Sequence, residues 1–402
     1  MYKNLEQVVT EFADRIALGF DGNVSFRSLI NAAQELRRVR PARDKTVVSF
    51  ENIHQFVTEL LAFDGHVAHL LLLPDGVNAE EALRRIDADK QSDNSQETKW
   101  WFASSGTTGI PSWNAHTLQQ LSRAVVTGEV QNDLCWGLLY QATRFAGIQV
   151  VLQSLLSGAK LVDAVNANPQ TSLDIMLTNG VDAISATPSI YRRFMMAEGI
   201  DSLHPKFVSL GGEIAEQSLL DQITGLFPKA KVSHIFAASE LGVGFAVSDG
   251  QAGFPLTWLN NAKRFPMLSI DSDDCLLLKV NAEHEYVNTG DKVAVKEGRV
   301  YFQGRSSGLI NVGGNKVYPE YIEDVLHQSP LVLHARVYPK SNPIMGQLVA
   351  ADIVCTEKDP KLAQQHILEH CNRSLQRYQI PMFFRWLDSI DIALTGKVKR
   401  NE

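Results

Sequence analysis

The chain has 402 residues, of which 45% are hydrophobic and 21% are charged, a composition typical of a globular protein with a substantial core. Its formal net charge is -7, whereas a nucleic-acid-binding chain is expected to be basic, so the composition argues against a nucleic-acid partner. It gives no reason to expect a membrane surface as a partner, and no apolar run is long enough to span a bilayer. The four cysteines form no CxxC pair, which predicts reduced thiols in a cytoplasmic protein.

Helix and strand patterns alternate along the first half of the chain. Helical spacing predicts helices over residues 26–39, 52–63, 75–89, 116–128, 145–156 and 172–179, and a further helix that starts at Thr187 and Pro188. Short apolar runs predict strands over residues 46–50, 69–73, 99–103, 134–140, 159–162, 181–185 and 207–210. This alternation predicts an α/β fold in which helices cover mostly parallel sheets. Ligands of such sheets bind beyond the carboxyl ends of the strands.

The pattern changes after about residue 255. Short strands over 275–280, 292–295 and 300–303, with a hairpin turn at Glu297 and Gly298, predict a β-rich subdomain. Residues 306–308 are a candidate linker, and the segment beyond them predicts a small α+β domain. We therefore divide the chain into a large domain over residues 1–305 and a small one over residues 306–402.

A loop rich in glycine and hydroxyl groups follows the strand predicted at 99–103. It consists of Ser104, Ser105, Gly106, Thr107, Thr108, Gly109, Ile110 and Pro111. Glycines let backbone N–H groups converge on an anion, and hydroxyls add donors, which suits phosphate oxygens. The Walker pattern is absent, and the loop taken alone is equally consistent with a flexible turn.

Four further stretches follow this loop downstream. They are Phe236-Ala237-Ala238-Ser239-Glu240, Thr289-Gly290-Asp291, Gly304-Arg305 through Gly313-Gly314-Asn315-Lys316-Val317, and Thr395-Gly396-Lys397. In this order, and with the loop, they resemble the adenylate-forming superfamily of acyl- and aryl-CoA synthetases, peptide-synthetase adenylation domains and firefly luciferase. The resemblance covers the chain from about Trp100 to the end. It implies an AMP-binding domain with a shortened start and a mobile C-terminal lid domain.

The resemblance implies a site for ATP and Mg²⁺. Ser104 to Gly109 would hold the β- and γ-phosphates, and Glu240 would bind Mg²⁺, a cation that prefers carboxylate oxygen. The nucleoside would be bound by Gly212, Glu213, Phe236, Ala237, Ser239, Asp291 and Arg305. In that set Phe236 stacks on adenine, Gly212 and Glu213 flank it, and Asp291 accepts the ribose hydroxyls with Arg305 beside it.

Each of these residues also has a structural alternative. Glu240 could cap a helix, Phe236 could be a core aromatic residue, and Asp291 could be an ordinary turn residue. Arg305 could be a solvated hairpin end, and residues 212–213 a simple strand-to-helix turn.

Lys397 would be the catalytic lysine by the same resemblance, bridging the substrate carboxylate and the α-phosphate. A mobile cation offsets the repulsion between a carboxylate and an anionic phosphorus centre. The lid domain would then rotate about residues 306–308, so that Lys397 leaves and Gly313 and Gly314 approach the thiol. The remaining basic tail, Lys399 and Arg400, is expected to be solvated.

The acyl pocket is predicted around Phe145, Ala146, Gly147 and His234. Residues 143–148 stand where aryl and o-succinylbenzoate ligases carry a His-x-x-Gly-like element, with Arg144 or Phe145 in place of the histidine. His234 could equally be a satisfied core histidine. No aspartate stands where amino-acid-activating domains bind an α-amine, which favours aryl or fatty acids.

Several departures from the family pattern bear on activity. Ser112 replaces a lysine after the loop, which removes a phosphate-binding charge, and Ser307 replaces the usual Asp or Lys of the hinge. Phe236-Ala237 replaces a Tyr-Gly pair. Because Glu240, Asp291, Arg305 and Lys397 are all retained, we favour an active enzyme.

The sequence thus predicts an acid–thiol ligase that consumes ATP and a small-molecule carboxylic acid and delivers the acyl group to CoA. The alternatives are an enzyme that loads the phosphopantetheine of an acyl carrier protein and a non-catalytic nucleotide- or acyl-binding homologue. A monomer and a homodimer are both open.

Overall fold

A computed structural model describes residues 3–19, 22–88, 97–104, 112–166, 168–238 and 240–390. Four clusters of buried apolar side chains form its core, one of them confined to the C-terminal segment. The four cysteines are free. Among the helices of the described segments, none combines the length and the hydrophobicity that crossing a bilayer requires.

The elements of the first third follow one another as α1 (Leu5–Val9), β1 (Ile16–Gly19), β2 (Val24–Ser25), α2 (Phe26–Val39), β3 (Lys45–Ser49), α3 (Ile53–Phe63), β4 (His69–Leu73), α4 (Ala79–Ala88), β5 (Lys99–Ser104) and β6 (Ser112–His116). Next come α5 (Leu118–Leu121), α6 (Glu129–Asn132), β7 (Cys135–Leu138), α7 (Phe145–Ser157), β8 (Lys160–Asp163), α8 (Pro169–Asn179), β9 (Ala183–Ala186), α9 (Pro188–Phe194), β10 (Phe207–Gly211), α10 (Gln217–Leu226), β11 (Lys231–Ala238) and β12 (Gly242–Val247).

The rest of the chain is richer in strands. Its elements are β13 (Phe254–Pro255), β14 (Met267–Ile270), β15 (Cys275–Lys279), β16 (Val287–Lys296), β17 (Arg299–Arg305), β18 (Ile310–Val312), β19 (Asn315–Val317), α11 (Pro319–His327), β20 (Val332–Asn342), β21 (Gly346–Cys355), α12 (Pro360–Ser374) and β22 (Phe383–Trp386).

The largest sheet has eight strands in the order β12-β11-β10-β9-β7-β8-β1-β2. Its interior pairs, from β11 to β1, are all parallel, and only the edge strands β12 and β2 pair antiparallel. Thr187 caps α9 by accepting the Ile190 N–H, with Pro188 at the first helical position. The predicted α/β fold with helix-covered, mostly parallel sheets is confirmed.

A second sheet, in the order β3-β4-β5-β6, carries the hydroxyl-rich loop between its last two strands. Strand β6 pairs antiparallel with β5, and Ser112 lies opposite Ser104. The helix predicted over residues 116–128 is wrong at its first residue, His116, which ends strand β6, and over residues 125–128, which form no helix. Trp113 and Ala115 alternate toward an apolar cluster that includes Trp101, and this period of two defines a strand. The predicted span contains the short α5 and, directly after it, the 3-10 helix Ser122–Ala124.

The β-rich subdomain is a five-stranded antiparallel sheet in the order β13-β17-β16-β15-β14. The predicted hairpin turn connects β16 and β17, and Glu297 and Gly298 both have positive φ there, 51° and 78°. Strand β16 begins five residues before the predicted start, so it includes Asp291.

The C-terminal segment forms its own sheet from β18 to β22, packed against α11 and α12. At its centre the fully buried carboxylate of Asp352 binds two guanidinium groups, those of Arg336 and Arg385. The division at residues 305 and 306 stays a prediction, supported by this separate core and by the short 3-10 helix Ser306–Gly308 that precedes β18.

Candidate active site

The candidate site lies at the edge of the eight-stranded sheet where its parallel strands end. Strands β7, β9, β10 and β11 all run in one direction, so the segments that follow them meet at this edge. Those segments contain Phe145, Thr187, the Gly212–Glu213 turn and the Glu240 turn. The sheet therefore brings together residues that are about a hundred positions apart.

Gly212 and Glu213 form the turn after β10. Gly212 has φ of 84°, a conformation that glycine adopts without steric cost, and it is exposed. The Glu213 carboxylate accepts the backbone N–H of Ser189, at the start of α9, at 2.9 Å. This bond fixes the turn against the neighbouring crossover, so a planar ligand would meet a rigid backbone here.

Phe236 and Ala237 lie on β11, one strand further along the sheet, where Gly211 pairs with Ile235. The Phe236 ring is nearly parallel to the rings of Phe245 and Phe302, each with its centroid 5.2 Å away. These ring contacts are those of a core aromatic residue, which is the structural alternative given above for Phe236. Adenine stacking on this ring stays a prediction.

Glu240 lies in the turn between β11 and β12 and is exposed. The helix-capping alternative is wrong because a strand follows, in which Phe245 and Val247 are buried. Arg123 holds the turn by donating to the Leu241 carbonyl oxygen at 2.8 Å. An exposed carboxylate at the sheet edge fits Mg²⁺, which proteins often bind through one or two carboxylates together with substrate phosphates.

Asp291 and Arg305 face each other in register on β16 and β17. The Arg305 Nε lies 3.6 Å from the Asp291 carboxylate, and its Nη2 donates to the Thr289 carbonyl oxygen at 2.9 Å. The side chain of Asp291 is 21% exposed and that of Arg305 57%. The Thr289 hydroxyl, which donates to the Leu276 carbonyl oxygen, accepts the Asp291 N–H. Asp291 is thus a fixed strand residue, not the turn residue of the structural alternative.

The predicted phosphate loop, Ser105 to Pro111, lies outside the described residues, as do Ser239 and Lys397. The flanking strands define where the loop starts and ends, because Ser104 and Ser112 are paired neighbours on β5 and β6. Ser112 is exposed there. The phosphate-binding role of the loop and the catalytic role of Lys397 stay predictions.

Phe145, Ala146 and Gly147 begin α7, directly beside the strands that carry this loop. The Phe145 ring contacts Phe102 of β5 and His116 of β6, with centroids 5.9 and 5.6 Å away. A side chain on Gly147 would meet the Gln141 carbonyl oxygen at 2.0 Å, so only glycine fits there. The acyl-pocket candidates and the phosphate-loop strands are therefore in contact.

Arg144, which precedes α7, is with Phe145 one of the two residues predicted to replace the histidine of the related ligases. Its Nη1 donates to the Ala103 carbonyl oxygen at 3.4 Å, just before the loop. Burial lowers the pKa of Arg144, and nearby Asp75 acts in the opposite direction. Arg144 thus links the start of α7 to the strand that carries the loop.

His234 does not share the surroundings of the other pocket candidates. It is buried, its Nε2 lies 3.0 Å from the Gln251 carbonyl oxygen, and burial lowers its pKa. Asp249 and Arg299 are its charged neighbours. These contacts match the satisfied core histidine of the alternative and do not support the pocket role predicted for His234.

Gly313 and Gly314 form the two-residue turn between β18 and β19. Their φ values are 58° and 90°, as a tight hairpin turn requires. The Gly313 N–H donates to the Met345 carbonyl oxygen, and the Gly314 N–H to the Asn311 side chain, both at 2.9 Å. The turn is exposed, so its backbone can contact a ligand that approaches from solvent.

No sequence pattern indicated the buried phenols beneath the site. Tyr140 lies under Gly211, and burial raises its pKa well above the usual value despite a hydrogen bond with Ser185. Tyr191 is within 3.2 Å of the carbonyl oxygens of Ile184 and Ser209, on two adjacent strands. Tyr140 ends the apolar run 134–140 and Tyr191 lies in the helix predicted to start at Thr187, and neither pattern indicates more than core packing.

Two family models match the chain. The AMP-binding enzyme model matches residues 11–306, and the model of the AMP-binding enzyme C-terminal domain matches residues 321–397. The chain belongs to the AMP-binding, adenylate-forming superfamily. The superfamily resemblance drawn from the sequence motifs is thereby confirmed.

Curated relatives are similar over shorter stretches. The 2-succinylbenzoate–CoA ligase of Arabidopsis thaliana is 34% identical over 131 residues, which is 29% of this chain and 23% of that protein. The human mitochondrial acyl-coenzyme A synthetase ACSM5 is 24% identical over 164 residues, which is 40% of this chain and 28% of that protein. The matched stretches thus span about a quarter of the length of these relatives.

Solved structures match over nearly the whole chain. The anthranilate CoA ligase AuaEII in complex with anthranoyl-AMP superposes with a TM-score of 0.80 at 15% identity, covering 99% of this chain and 96% of that one. The o-succinylbenzoate CoA synthetase of Bacillus subtilis with its acyl-adenylate superposes with a TM-score of 0.66 at 17% identity. The match covers 99% of this chain and 97% of that one. At these identities the match establishes a shared fold.

Proposed function

We propose that the protein activates a carboxylic acid with ATP as an acyl-adenylate and then transfers the acyl group to a thiol, CoA in the first instance. The observation that carries this proposal is the Asp291–Arg305 pair, fixed in register at the end of the N-terminal domain. A half-buried carboxylate held beside a cation can accept two vicinal hydroxyls, as a ribose presents them. Family membership supports the nucleotide as the ligand.

ATP would lie along the sheet edge, with ribose at Asp291, adenine near Gly212 and Glu213, and the β- and γ-phosphates in the loop that starts after Ser104. Glu240 would hold Mg²⁺, which when bound neutralises phosphate charge. Ser112, in place of a lysine, leaves the loop's backbone N–H groups and hydroxyls with more of the phosphate binding.

The first step would be attack of the substrate carboxylate on the α-phosphorus, which forms the acyl–phosphate bond and releases pyrophosphate. Lys397 would bridge the carboxylate and the α-phosphate and stabilise the charge that develops between them. In the second step a thiolate attacks the acyl carbon, and the carbon–oxygen bond to AMP breaks. The Gly313–Gly314 turn would line the path of the thiol.

An aryl acid is the substrate class that we favour. Phe145, half-buried at the start of α7, is the ring that a planar acid would meet beside the phosphate loop, and aromatic pairs prefer offset or edge-to-face contacts. Two relatives whose names specify aryl acids, the anthranilate and succinylbenzoate ligases, share the fold. Arg144 stands nearby and could contact a second polar group on the acid.

The test is carboxylate-dependent exchange of labelled pyrophosphate into ATP, screened over benzoate-type, fatty and amino acids. We expect exchange with at least one aryl acid, and Lys397→Ala should abolish it while ATP still binds. Lys399→Ala, two residues away, is the matched control and should retain exchange. If no acid in the panel supports exchange, the chain is a binding homologue and not a ligase. Addition of CoA or a phosphopantetheinylated carrier protein then identifies the acceptor.

A further inference from the structure

A buried cluster of charged and titratable side chains connects the N-terminal domain to the C-terminal domain. Its members come from α9, the start of α10, α11 and β20, and they are Arg192, Glu216, Asp324, His327 and His334. The side chains of Arg192 and His327 are each 5% exposed, and that of Glu216 is 11% exposed. None of these residues has a role in the chemistry proposed above.

Glu216 is the centre of the cluster and the residue through which the domains meet. Its carboxylate binds the Arg192 guanidinium within the N-terminal domain and lies 3.0 Å from His327 Nδ1 across the domain boundary. Burial acts to raise the pKa of Glu216, but His327 and Arg192 outweigh it and hold the pKa below its usual value. A buried carboxylate that loses a partner is strongly destabilised, so the bond to His327 favours this placement of the C-terminal domain.

The protonation state of His327 follows from its two hydrogen bonds. The backbone N–H of Ala335 donates to His327 Nε2 at 3.1 Å, so this nitrogen carries no proton. Nδ1 therefore bears the single proton and donates it to Glu216. A second proton on Nε2 would remove the acceptor for Ala335, so the arrangement requires a neutral imidazole.

Two further members lack complete hydrogen bonding. Among the described residues, Asp324 Oδ1 and His334 Nε2 are buried without a hydrogen-bond partner. The His334 ring lies 5.9 Å from the ring of His327, and Glu213 also contributes to the electrostatic surroundings of His327. An interface with unpartnered polar atoms gains solvation when it opens, which favours a contact that can separate.

We propose that Glu216 and His327 form a latch that holds the C-terminal domain against the start of α10 and must open between the two steps of the reaction. This inference rests on the proposed function, because only the two-step reaction requires the C-terminal domain to move. The latch lies three residues beyond Glu213, next to the predicted adenine site. His327 contacts Glu216 and Ala335 and none of the residues assigned to the reacting groups, so it is a positioning residue.

The first experiment measures domain opening without substrate, as the rate of tryptic cleavage after Arg305. This residue precedes the short 3-10 helix Ser306–Gly308 and is exposed. His327→Phe keeps the ring and loses both hydrogen bonds, so we expect cleavage about tenfold faster. His327→Asn can still donate to Glu216 and should give an intermediate rate. His366→Gln, an exposed histidine on α12, should match the wild type.

The second experiment compares the two steps, as the ratio of pyrophosphate exchange to thioester formation. His327→Phe should change that ratio about tenfold, because one domain arrangement becomes less populated than the other. An unchanged cleavage rate, or equal acceleration at every tryptic site with a lowered Tm, would overturn the latch. If the wild type lacks exchange activity, the proposed function fails, and the cleavage experiment still decides the latch.

Discussion

Two β-hairpins flank the short 3-10 helix Ser306–Gly308, and they are built differently. The first, β16 and β17, lies inside the five-stranded sheet and carries the paired Asp291 and Arg305. The second, β18 and β19, has three-residue strands, joins its sheet through the single pair Val312–Gly346, and carries Gly313 and Gly314.

Under the proposed function, this difference would separate a fixed nucleotide-binding hairpin from a hairpin that moves with the C-terminal domain. Asp291 is held by its strand neighbours, because its backbone N–H donates to the Thr289 hydroxyl and its carboxylate pairs with Arg305. The Gly313 turn depends instead on Met345 at the tip of another hairpin. Changes in the first hairpin should impair both steps of the reaction, and changes in the second should impair only the thiol step.

The largest effect is expected for Asp291→Ala. Loss of a charged acceptor for the ribose hydroxyls should raise KM for ATP by about a hundredfold in pyrophosphate exchange and in thioester formation alike. Steady-state kinetics of both reactions measure this. Asp273→Asn, an exposed aspartate at the β14–β15 turn of the same sheet, is the control and should leave KM unchanged. Impairment of only one step would contradict the fixed role of this hairpin.

The next largest effect is expected for Gly313→Ala. The added Cβ would lie 2.4 Å from the Met345 side chain, at a φ that alanine disfavours, so the turn must shift. Thioester formation should slow by about tenfold while pyrophosphate exchange is retained. Gly225→Ala on α10, where a side chain meets no neighbour within 4 Å, serves as the control. Equal loss of exchange would show that this turn serves the first step as well.

A pH dependence should follow from Asp324, which shares the buried interface with Glu216. Burial, with Glu216 nearby, raises the pKa of Asp324 to about 6. A carboxyl with a raised pKa stabilises the closed interface at pH below its ordinary value of 3.8 and loses this contribution as pH rises through about 6. Tryptic cleavage after Arg305 should therefore accelerate as pH rises from 3.8 to about 6 and level off above that, and Asp324→Asn should remove this rise.

The pH dependence that His327 contributes has the opposite sign to that of Asp324. Burial lowers the pKa of His327, so its contribution is present above its ordinary value and is lost only as pH falls through the lower folded value. If the cleavage rate rises toward acid pH in Asp324→Asn but not in His327→Phe, this acid-side rise is due to His327. Cleavage that is independent of pH in the wild type would contradict both assignments.

The smallest effect is expected for Ser112→Lys, which restores the cation that the family carries after the loop. Ser112 is exposed and paired with Ser104, so a lysine there can reach the loop without a change in the strand. KM for ATP should fall by about fivefold, as one partly solvated charge interaction allows. Ser112→Gln, similar in length without the charge, should not lower KM.

The sequence predicted most of the parallel strands and their helices because these were marked by an apolar run or by a cap, whereas strands β1 and β11 were not predicted. Helix α2 begins and ends at the predicted residues, and Thr187 caps α9 as expected. The hairpin β5–β6 was missed because residues 112–116 mix polar and aromatic side chains, and their pairing with β5 is a tertiary contact. Period and propensity carry no information about such a partner.

The same limit applies to the site. Motif order identified Asp291, Arg305 and Glu240, and the structure puts each at a sheet edge or hairpin. The burial of His234 and the ring contacts of Phe236 could not be read from the sequence, because both depend on residues that are distant along the chain, such as Gln251 and Phe302. The latch residues carry no motif, and Glu216 and His327 are 111 positions apart.

Oxygen labelling shows whether a carboxylate oxygen attacks the α-phosphorus of ATP, as the proposed first step requires. An acid labelled with ¹⁸O in its carboxyl group, found by the exchange screen, is incubated with the protein, ATP, Mg²⁺ and CoA, and the nucleotide product is analysed by mass spectrometry. Attack by the carboxylate predicts AMP that contains one ¹⁸O atom, formed in equal amount to the thioester. Unlabelled AMP, or label in inorganic phosphate with ADP as the product, would contradict it.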